Sequence, residues 1–290
     1  MRDDRVSSTA LTVLQGILYT SEREKFKHLV SKEIIEACRA ILLSTDEGKK
    51  RLKQLDSRVF KAFVPIIEKL MLPGITLHYV LRKKAIEEYV RDSISKGFTQ
   101  VVSLGAGFDS LAYRLSKEFD SVNFIEIDHS ATQIHKREAL VKEELSNLNL
   151  LSVDFAKENL KDKLKNFENF DKDRETIFIS EGVLMYLPRE SVEELFNSLK
   201  ELVDSKMEFI FTFIEPMREN RDSYGILLNL YLKFKSENLF WSIKKDELSP
   251  FLKNLNYEMV ELIDTDKFKE RYLKNIDVTM HRGEVIAIAK

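Results

Sequence analysis

The spacing of hydrophobic residues changes along the chain, with a helical period in the first third and strand-like runs after it. In the first part, apolar residues recur at steps of three and four, as expected for helices with one buried face. Examples are Leu11, Leu14, Ile17 and Leu18, and then Ile34, Ile35, Cys38 and Ile41. We therefore predict a helical cap over residues 1–98, including a helix that leads into the first strand.

After Gln100, short apolar runs alternate with longer helical patterns. The runs predict strands at residues 101–105, 122–127, 149–153, 175–180, 207–214 and 257–263, and a last strand at 285–289 that forms a hairpin-like pair with its neighbour. Strands separated by helices are typical of a doubly wound α/β sheet. Residues 99–290 are therefore predicted to form one mostly parallel, seven-stranded, Rossmann-like domain.

A glycine turn follows the first predicted strand, in the segment QVVSLGAGFDSLAYRL at 100–115. Gly105 and Gly107 have no Cβ atoms, so a ribose or a carboxylate could approach the backbone closely. Asp109 is predicted to cap the helix that follows. The next strand ends at Asp128, roughly 20 residues further on, where folds of this kind place an acid that binds ribose hydroxyls. An N-cap role for Asp128 is the alternative, and one carboxylate could serve both.

The third glycine of the G-x-G-x-x-G fingerprint is absent, because Ser110 stands in its place. That glycine permits close helix packing beside a pyrophosphate, so its absence argues against NAD and FAD. S-adenosyl-L-methionine has an adenosine and an amino-acid tail but no phosphate, and it fits the turn. A tight turn that binds no ligand is the alternative that the motif alone leaves open.

Four ordered segments resemble the leucine carboxyl methyltransferase family of S-adenosylmethionine-dependent methyltransferases, which includes bacterial polyketide O-methyltransferase-like proteins. The segments are YVLRKKAIEEYV at 79–90, VVSLGAGFDSLAYRL at 101–115, FIEIDHSATQIHKREAL at 124–140 and FISEGVLMYLPRE at 178–190. The resemblance spans most of the chain. It implies a methyltransferase sheet of the Rossmann-like type, with S-adenosylmethionine as the cofactor.

The resemblance also implies a role for individual residues. Arg82 would pair with the methionine carboxylate, Asp128 would hold the ribose hydroxyls, and Glu181 would lie beside the methionine moiety and the acceptor entrance. Further cofactor contacts are implied for the glycine turn and for the acidic and apolar pair next to the adenine amino group, which are Ser103, Gly105, Ala106, Gly107, Asp154 and Phe155.

Three of the charged residues also have an ordinary structural interpretation. Arg82 could be an exposed helix residue, although Ile86 occupies the position one turn on where an acidic partner would stand. Asp154 could simply cap a helix. Glu181 is harder to explain in this way, because it lies between two apolar stretches where an unpaired carboxylate would be costly.

Two departures from the family pattern leave the acceptor open. Many members carry an Arg two residues after the aspartate of the glycine motif, where this chain has Leu111. The family often has a Pro near Asp128, where this chain has His129 and Ser130. Neither change prevents cofactor binding, but the acceptor of a particular member cannot be carried over.

The implied reaction is a displacement at the sulfonium methyl group, for which positioning of the reactants supplies much of the rate. A carboxylate acceptor is already ionised at neutral pH, whereas a hydroxyl would benefit from a base. Tyr186 and His281 are the candidate catalytic residues, with His78 as a second candidate base. We predict O-methylation of a carboxylate or hydroxyl of a small molecule. A protein C-terminal carboxylate is the alternative, and a nicotinamide-dependent oxidoreductase or a non-catalytic cofactor-binding protein are the alternatives from other classes.

An insertion at about 216–239 begins with polar residues and continues as an apolar, helix-like stretch over 224–234. We interpret it as a lid that, with the N-terminal helices, encloses the acceptor and excludes water. Ordinary core packing of its apolar residues is the alternative.

Composition and charge agree with a folded enzyme. The 290 residues are 43% hydrophobic, enough for a large core, and the net charge of −2 offers no overall attraction to nucleic acid. The single Cys excludes an internal disulfide framework, and no cluster has metal-ligand spacing. The N-terminus lacks the apolar core of a signal peptide, and no apolar run is long enough to span a membrane. We therefore expect a cytoplasmic protein with no membrane or nucleic-acid partner, and the oligomeric state is left open.

Overall fold

The computed structural model describes residues 8–141, 145–155, 157–216 and 239–290. These residues contain a seven-stranded sheet with the order β3-β2-β1-β4-β5-β7-β6. The strands are β1 Gln100–Leu104, β2 Asn123–Asp128, β3 Leu148–Ser152, β4 Thr176–Ser180, β5 Met207–Ile214, β6 Met259–Ile263 and β7 Glu284–Ala289. The predicted doubly wound sheet is confirmed, and each predicted strand lies within two residues of the observed one.

Strands β1 to β5 run parallel to one another, and β7 is antiparallel to both of its neighbours. The sequence predicted a pair between β7 and one neighbour. In the structure β7 lies between β5 and β6, with Phe211 opposite Ala287 on one side and Leu262 opposite Ala287 on the other. Every residue of β7 is buried, as expected for a strand inside the sheet.

Eleven helices are described around the sheet. They are α1 Ser8–Ser21, α2 Lys32–Leu43, α3 Asp46–Asp56, α4 Arg58–Met71, α5 Ile75–Ser95, α6 Leu111–Ser116, α7 Ser130–Leu140, α8 Leu160–Lys165, α9 Arg189–Leu202, α10 Lys245–Asn254 and α11 Thr265–Tyr272. Short 3₁₀ helices occur at Lys27–Leu29 and Leu184–Tyr186. The side chains of Ser31, Thr45 and Ser57 each accept a backbone N–H three residues on, which explains where α2, α3 and α4 begin.

Helices α1, α2 and α5 share one hydrophobic core with one face of the sheet. Leu11, Ile41 and Leu81 are fully buried in the same cluster as Phe124 of β2. Helix α1 packs on α5, and α2 packs on α7. Helices α1 and α2 therefore lie on the same side of the sheet as α5 and α7.

The opposite face is packed with aromatic side chains. The Phe196 ring of α9 meets the rings of Phe209 and Phe211 edge to face, with centroids 4.9 and 5.1 Å apart. The Tyr257 hydroxyl donates a hydrogen bond to the Phe196 carbonyl oxygen at 2.7 Å. This dense packing holds α9 against β5.

Two expectations from the sequence, the lid and the absence of a membrane span, bear on which residues the structure describes. Most of the predicted lid at about 216–239 lies outside the described residues, which end at 216 and resume at 239. Within the part of the chain that is described, no helix is both long enough and apolar enough to cross a membrane.

Candidate functional site

The carboxyl ends of β1, β2 and β4 lie side by side at one edge of the sheet. Leu104 is paired with Ile127, and Ser103 with Ile179. The segments that follow these strands carry Gly105 to Gly107, Asp128 and Glu181, which are thereby brought together. In open α/β sheets this edge is where ligands bind.

The two glycines of the turn after β1 have different surroundings. Both have positive φ, +64° for Gly105 and +51° for Gly107, a conformation that favours glycine. A Cβ atom on Gly105 would lie only 2.6 Å from a Val183 methyl group, whereas one on Gly107 would meet only the Gly105 carbonyl oxygen at 3.9 Å. Gly105 therefore allows the chain after β4 to pack closely, and Gly107 leaves open space above the turn.

The turn is also tied to β2. The Ala106 N–H donates to the Ile127 carbonyl oxygen at 3.0 Å, and the Gly107 N–H donates to the Asp128 carboxylate at 2.7 Å. The other Asp128 oxygen accepts the His129 N–H at 2.7 Å. Each carboxylate oxygen can accept a second hydrogen bond, so Asp128 can fix the turn and still bind a hydroxyl group.

Asp128 is not the N-cap of the helix after β2, because the next residue, His129, takes that position. Helix α7 begins at Ser130, its N-cap is His129, and the His129 Nδ1 atom accepts the Ala131 N–H at 3.3 Å. At the preceding helix α6 the N-cap is Ser110, not Asp109 as predicted, and Ser110 makes no side-chain cap hydrogen bond. Asp109 lies one residue earlier, and its carboxylate accepts the Leu111 N–H at 3.1 Å.

Arg82 is buried, so the alternative of an exposed helix residue is wrong. Its guanidinium binds Glu181, with Nε and Nη2 at 2.8 and 2.7 Å from Oε1. Nη1 binds Glu284 at the start of β7. The partners of Arg82 thus come from the turn after β4 and from β7, not from its own helix.

Glu181 is paired, as its apolar flanks require. In addition to Arg82 it binds Lys83, whose Nζ lies 3.1 and 3.3 Å from the two Glu181 oxygens. Lys83 also lies 3.3 Å from Asp109. Burial alone would lower the pKa of Lys83, but Asp109 and Glu181 outweigh it and raise the pKa. A charged network therefore runs from β7 through α5 to the glycine turn.

Sequence reasoning missed Lys83 and Glu284. Glu284 directly precedes the apolar run of β7, so the reasoning applied to Glu181 would also have found it. His78 supports it, with Nε2 at 3.1 Å from the Glu284 carboxylate. Burial acts to raise the pKa of Glu284, but the Arg82 charge and the His78 hydrogen bond outweigh this and hold the pKa well below its ordinary range. Glu284 is therefore ionised.

The two candidate catalytic residues lie on different elements. Tyr186 ends the 3₁₀ helix that follows Glu181 and Gly182. The His281 ring packs edge to face on the His78 ring, with centroids 5.2 Å apart. Burial and the nearby His78 lower the pKa of His281 to about 3. The His281 imidazole is therefore neutral at pH 7 and is a weak base.

Asp154 and Phe155 follow β3. The Asp154 carboxylate pairs with Lys157 at 3.1 Å, and Asn159, not Asp154, caps α8. Phe155 is a large apolar side chain, and it is 43% exposed. The assignment of these two residues to the adenine stays a prediction.

The Asp109 carboxylate gives the fold an acid-sensitive contact. Burial acts to raise the pKa of Asp109, but the positive charges of Lys83, Lys136 and Arg114 together outweigh it, so the pKa falls from 3.8 to about 2. Because the folded-state pKa is lowered, the stabilisation is present above about pH 4 and is lost as the pH falls towards 2. It amounts to about 2 kcal/mol. In urea denaturation, Asp109→Asn should be less stable than wild type by this amount at about pH 5, and the difference should vanish near pH 2.

Asp120→Asn, at an exposed acid, is the control and should change stability by less than ~0.5 kcal/mol. A constant gap between Asp109→Asn and wild type across this pH range would show that the Asp109 charge does not stabilise the fold.

Comparison with known proteins gives concordant findings. Residues 25–200 match the family model "Leucine carboxyl methyltransferase". The chain is 26% identical over 263 residues to "Leucine carboxyl methyltransferase 1" of Caenorhabditis elegans, which covers 78% of this chain and 76% of that protein. It is 34% identical over 124 residues to a "Putative S-adenosyl-L-methionine-dependent methyltransferase" of Mycobacterium bovis, covering 42% of this chain and 40% of that protein.

Among solved structures, a "putative methyltransferase" from Thermobifida fusca superposes with a TM-score of 0.62 at 15% sequence identity. The superposition covers 88% of this chain and 94% of that chain. At this level of identity, the likeness shows a shared fold.

Proposed function

Because the chain belongs to the leucine carboxyl methyltransferase family and is an S-adenosylmethionine-dependent methyltransferase, we propose that it methylates a carboxylate group. Family membership confirms the resemblance found in the sequence. It also sets aside a nicotinamide-dependent oxidoreductase, against which the missing third glycine already argued. When bound, S-adenosylmethionine supplies an activated methyl group on a positively charged sulfur atom.

The residues at the carboxyl edge of the sheet fit this cofactor. The open space above Gly107 admits a ligand close to the backbone, and Asp128 has capacity left to accept hydrogen bonds from hydroxyl groups. The exposed Phe155 ring offers an apolar surface against which the adenine ring can pack. We assign Asp128 to the ribose hydroxyls and Asp154 with Phe155 to the adenine. Ser103 and the glycine turn, Gly105 to Gly107, are assigned to the ribose and amino-acid end of the cofactor.

Arg82 is suited to hold the carboxylate of the methionine tail. A guanidinium has five N–H donors, and the contacts of Arg82 with Glu181 and Glu284 use three of them. Two donors are left for a ligand carboxylate, which arginine binds with charge-assisted hydrogen bonds. Glu181 is negatively charged beside them and complements the positively charged end of the cofactor.

The proposal of a carboxylate acceptor rests mainly on the two candidate bases, His78 and His281, since neither is suited to take a proton from a hydroxyl group. His78 is fully buried and its Nε2 is engaged with Glu284. His281 has a pKa of about 3, so it takes up a proton poorly at neutral pH. A hydroxyl acceptor would have to lose its proton, whereas a carboxylate is already ionised. Tyr186 would then orient the acceptor through its hydroxyl group and need not act as a base.

Two carboxylate acceptors are candidates. The name of the C. elegans relative favours the carboxyl group of a leucine, and a protein that ends in leucine would present such a group. A small-molecule carboxylic acid is the second candidate, because Leu111 stands where many members of the family have an Arg, and this change leaves the acceptor of those members uncertain.

Methyl labelling separates these possibilities. We expect the purified protein, given methyl-labelled S-adenosylmethionine and extract of its own source cells, to produce label that mild alkali releases as methanol, as a methyl ester requires. Label in the protein precipitate indicates a protein carboxylate, and label in the soluble fraction indicates a small acid. A synthetic peptide ending in leucine and its C-terminal amide form a matched pair, of which only the free acid should react.

Alkali-stable label would contradict the carboxylate proposal and indicate a hydroxyl acceptor. Absence of label in every fraction, with firm binding of S-adenosylmethionine, would instead support a protein that binds the cofactor without catalysis.

A further inference from the structure

Glu284 joins two side chains of α5 to the sheet. Glu284 is the first residue of β7 and is 6% exposed. One of its carboxylate oxygens contacts both the Arg82 Nη1 atom and the His78 Nε2 atom. His78 and Arg82 are four residues apart, so they lie on the same face of the helix. Glu284 therefore reaches α5 from β7 and fixes two successive turns of that face.

The guanidinium of Arg82 is held from two sides. Glu181 binds it at Nε and Nη2, and Glu284 binds it at Nη1. Glu181 is shared with the second cation Lys83, whereas Glu284 contacts Arg82 and His78 and is also hydrogen-bonded to Thr212. Without Glu284, the carboxylate bound to Arg82 would be that of Glu181, which Lys83 also binds. A long side chain with that freedom would pay more entropy when it binds a ligand.

We propose that Glu284 is a positioning residue of the cofactor site, which fixes Arg82 so that its two remaining donors face the cofactor carboxylate, and that His78 fixes Glu284 in turn. The proposal rests on the proposed role of Arg82. Glu284 acts through Arg82 and does not touch the cofactor. A purely structural role in the fold is the competing explanation.

The two explanations differ in which ligands lose affinity. 5′-Methylthioadenosine has the adenosine half of the cofactor but no amino-acid tail, so Arg82 has nothing to bind in it. Glu284→Gln keeps the shape of the side chain and removes its charge. By calorimetry we expect this variant to bind S-adenosylmethionine about tenfold more weakly, with the affinity for 5′-methylthioadenosine unchanged. Equal losses for both ligands, or no loss for either, would overturn the proposal.

Two further variants complete the design. In an Arg82→Ala background, Glu284→Gln should change the affinity for S-adenosylmethionine by less than about twofold, because it acts only through Arg82. Glu88→Gln, at an exposed ion pair of the same helix with Lys84, is the matched control and should change neither affinity. An additional tenfold loss in the Arg82→Ala background would overturn the proposal.

Failure of the proposed cofactor role of Arg82 has a different signature. In that case Arg82→Ala would weaken S-adenosylmethionine and 5′-methylthioadenosine equally in the otherwise wild-type chain. Should Glu284→Gln not fold, His78→Leu tests the same contact, because it removes a second partner of the Glu284 carboxylate oxygen that binds Arg82. That variant should selectively weaken S-adenosylmethionine by a smaller factor, and equal effects on both ligands would overturn the proposal.

Discussion

Gly107→Val should remove S-adenosylmethionine binding and leave the chain folded. A side chain at this position projects into the open space above the turn, since the nearest atom to its Cβ is the Gly105 carbonyl oxygen at 3.9 Å. That space lies beside Asp128, where we place the ribose and the methionine tail. We expect the dissociation constant to rise at least about a hundredfold, or ~3 kcal/mol. Calorimetry measures the affinity, and thermal denaturation shows whether the variant is folded.

Backbone strain must be separated from occlusion in this test. A valine at the φ of +51° of Gly107 is strained by about 1–2 kcal/mol whether or not a ligand binds nearby. Gly97→Val is the matched control, because Gly97 has a φ of +107° and precedes β1 at the opposite end of the strand. It should lose stability and keep its affinity. If the two variants lost affinity equally, the space above Gly107 would not be the cofactor site.

Arg82→Ala should lower both cofactor affinity and stability. The substitution leaves Glu181 and Glu284 buried with fewer positive charges, and loss of one partner from a buried ion pair costs ~3–5 kcal/mol. In the fraction that folds, loss of the contact to the methionine carboxylate should weaken S-adenosylmethionine binding by ~1.5–3 kcal/mol. Urea denaturation gives the first quantity and calorimetry the second.

Lys84→Ala is the control on the same helix. Lys84 forms an exposed ion pair with Glu88 at 3.0 Å, so its removal should cost less than ~1 kcal/mol and leave cofactor binding unchanged. An Arg82→Ala variant with wild-type affinity would exclude Arg82 from the cofactor site. An Arg82→Ala variant with wild-type stability would show that solvent, and not Arg82, compensates the negative charges of Glu181 and Glu284.

The parallel part of the sheet could be predicted from the sequence because each strand is an apolar run separated from the next by a helix. The position of β7 could not. An apolar run of this kind suits an edge or an interior position equally well, and only the pairing with both β5 and β6 decides between them. The sequence therefore predicted a strand at the right place in the chain with one neighbour instead of two.

The charged network shows a similar division. The apolar stretches on both sides of Glu181 predicted that it has a partner, because an unpaired buried carboxylate is costly. They did not indicate where in the chain that partner lies. Helix periodicity indicates partners for Arg82 only within one turn of its own helix, whereas its actual partners are 99 and 202 residues away along the chain. His129 replaced Asp128 as the cap of α7 because its Nδ1 atom can also accept a backbone N–H. Such choices depend on the tertiary structure.

The antiparallel direction of β7 has a consequence for the order of folding during synthesis. It places Glu284, the first residue of the strand, at the same edge as the ends of β1, β2 and β4. Strand β7 is the last of the seven to leave the ribosome, so Arg82 is made long before one of its two counterions exists. A nascent chain that stops short of residue 284 exposes the facing sides of β5 and β6 and holds an incomplete charge network. Such a chain is prone to aggregate through its unpaired strands.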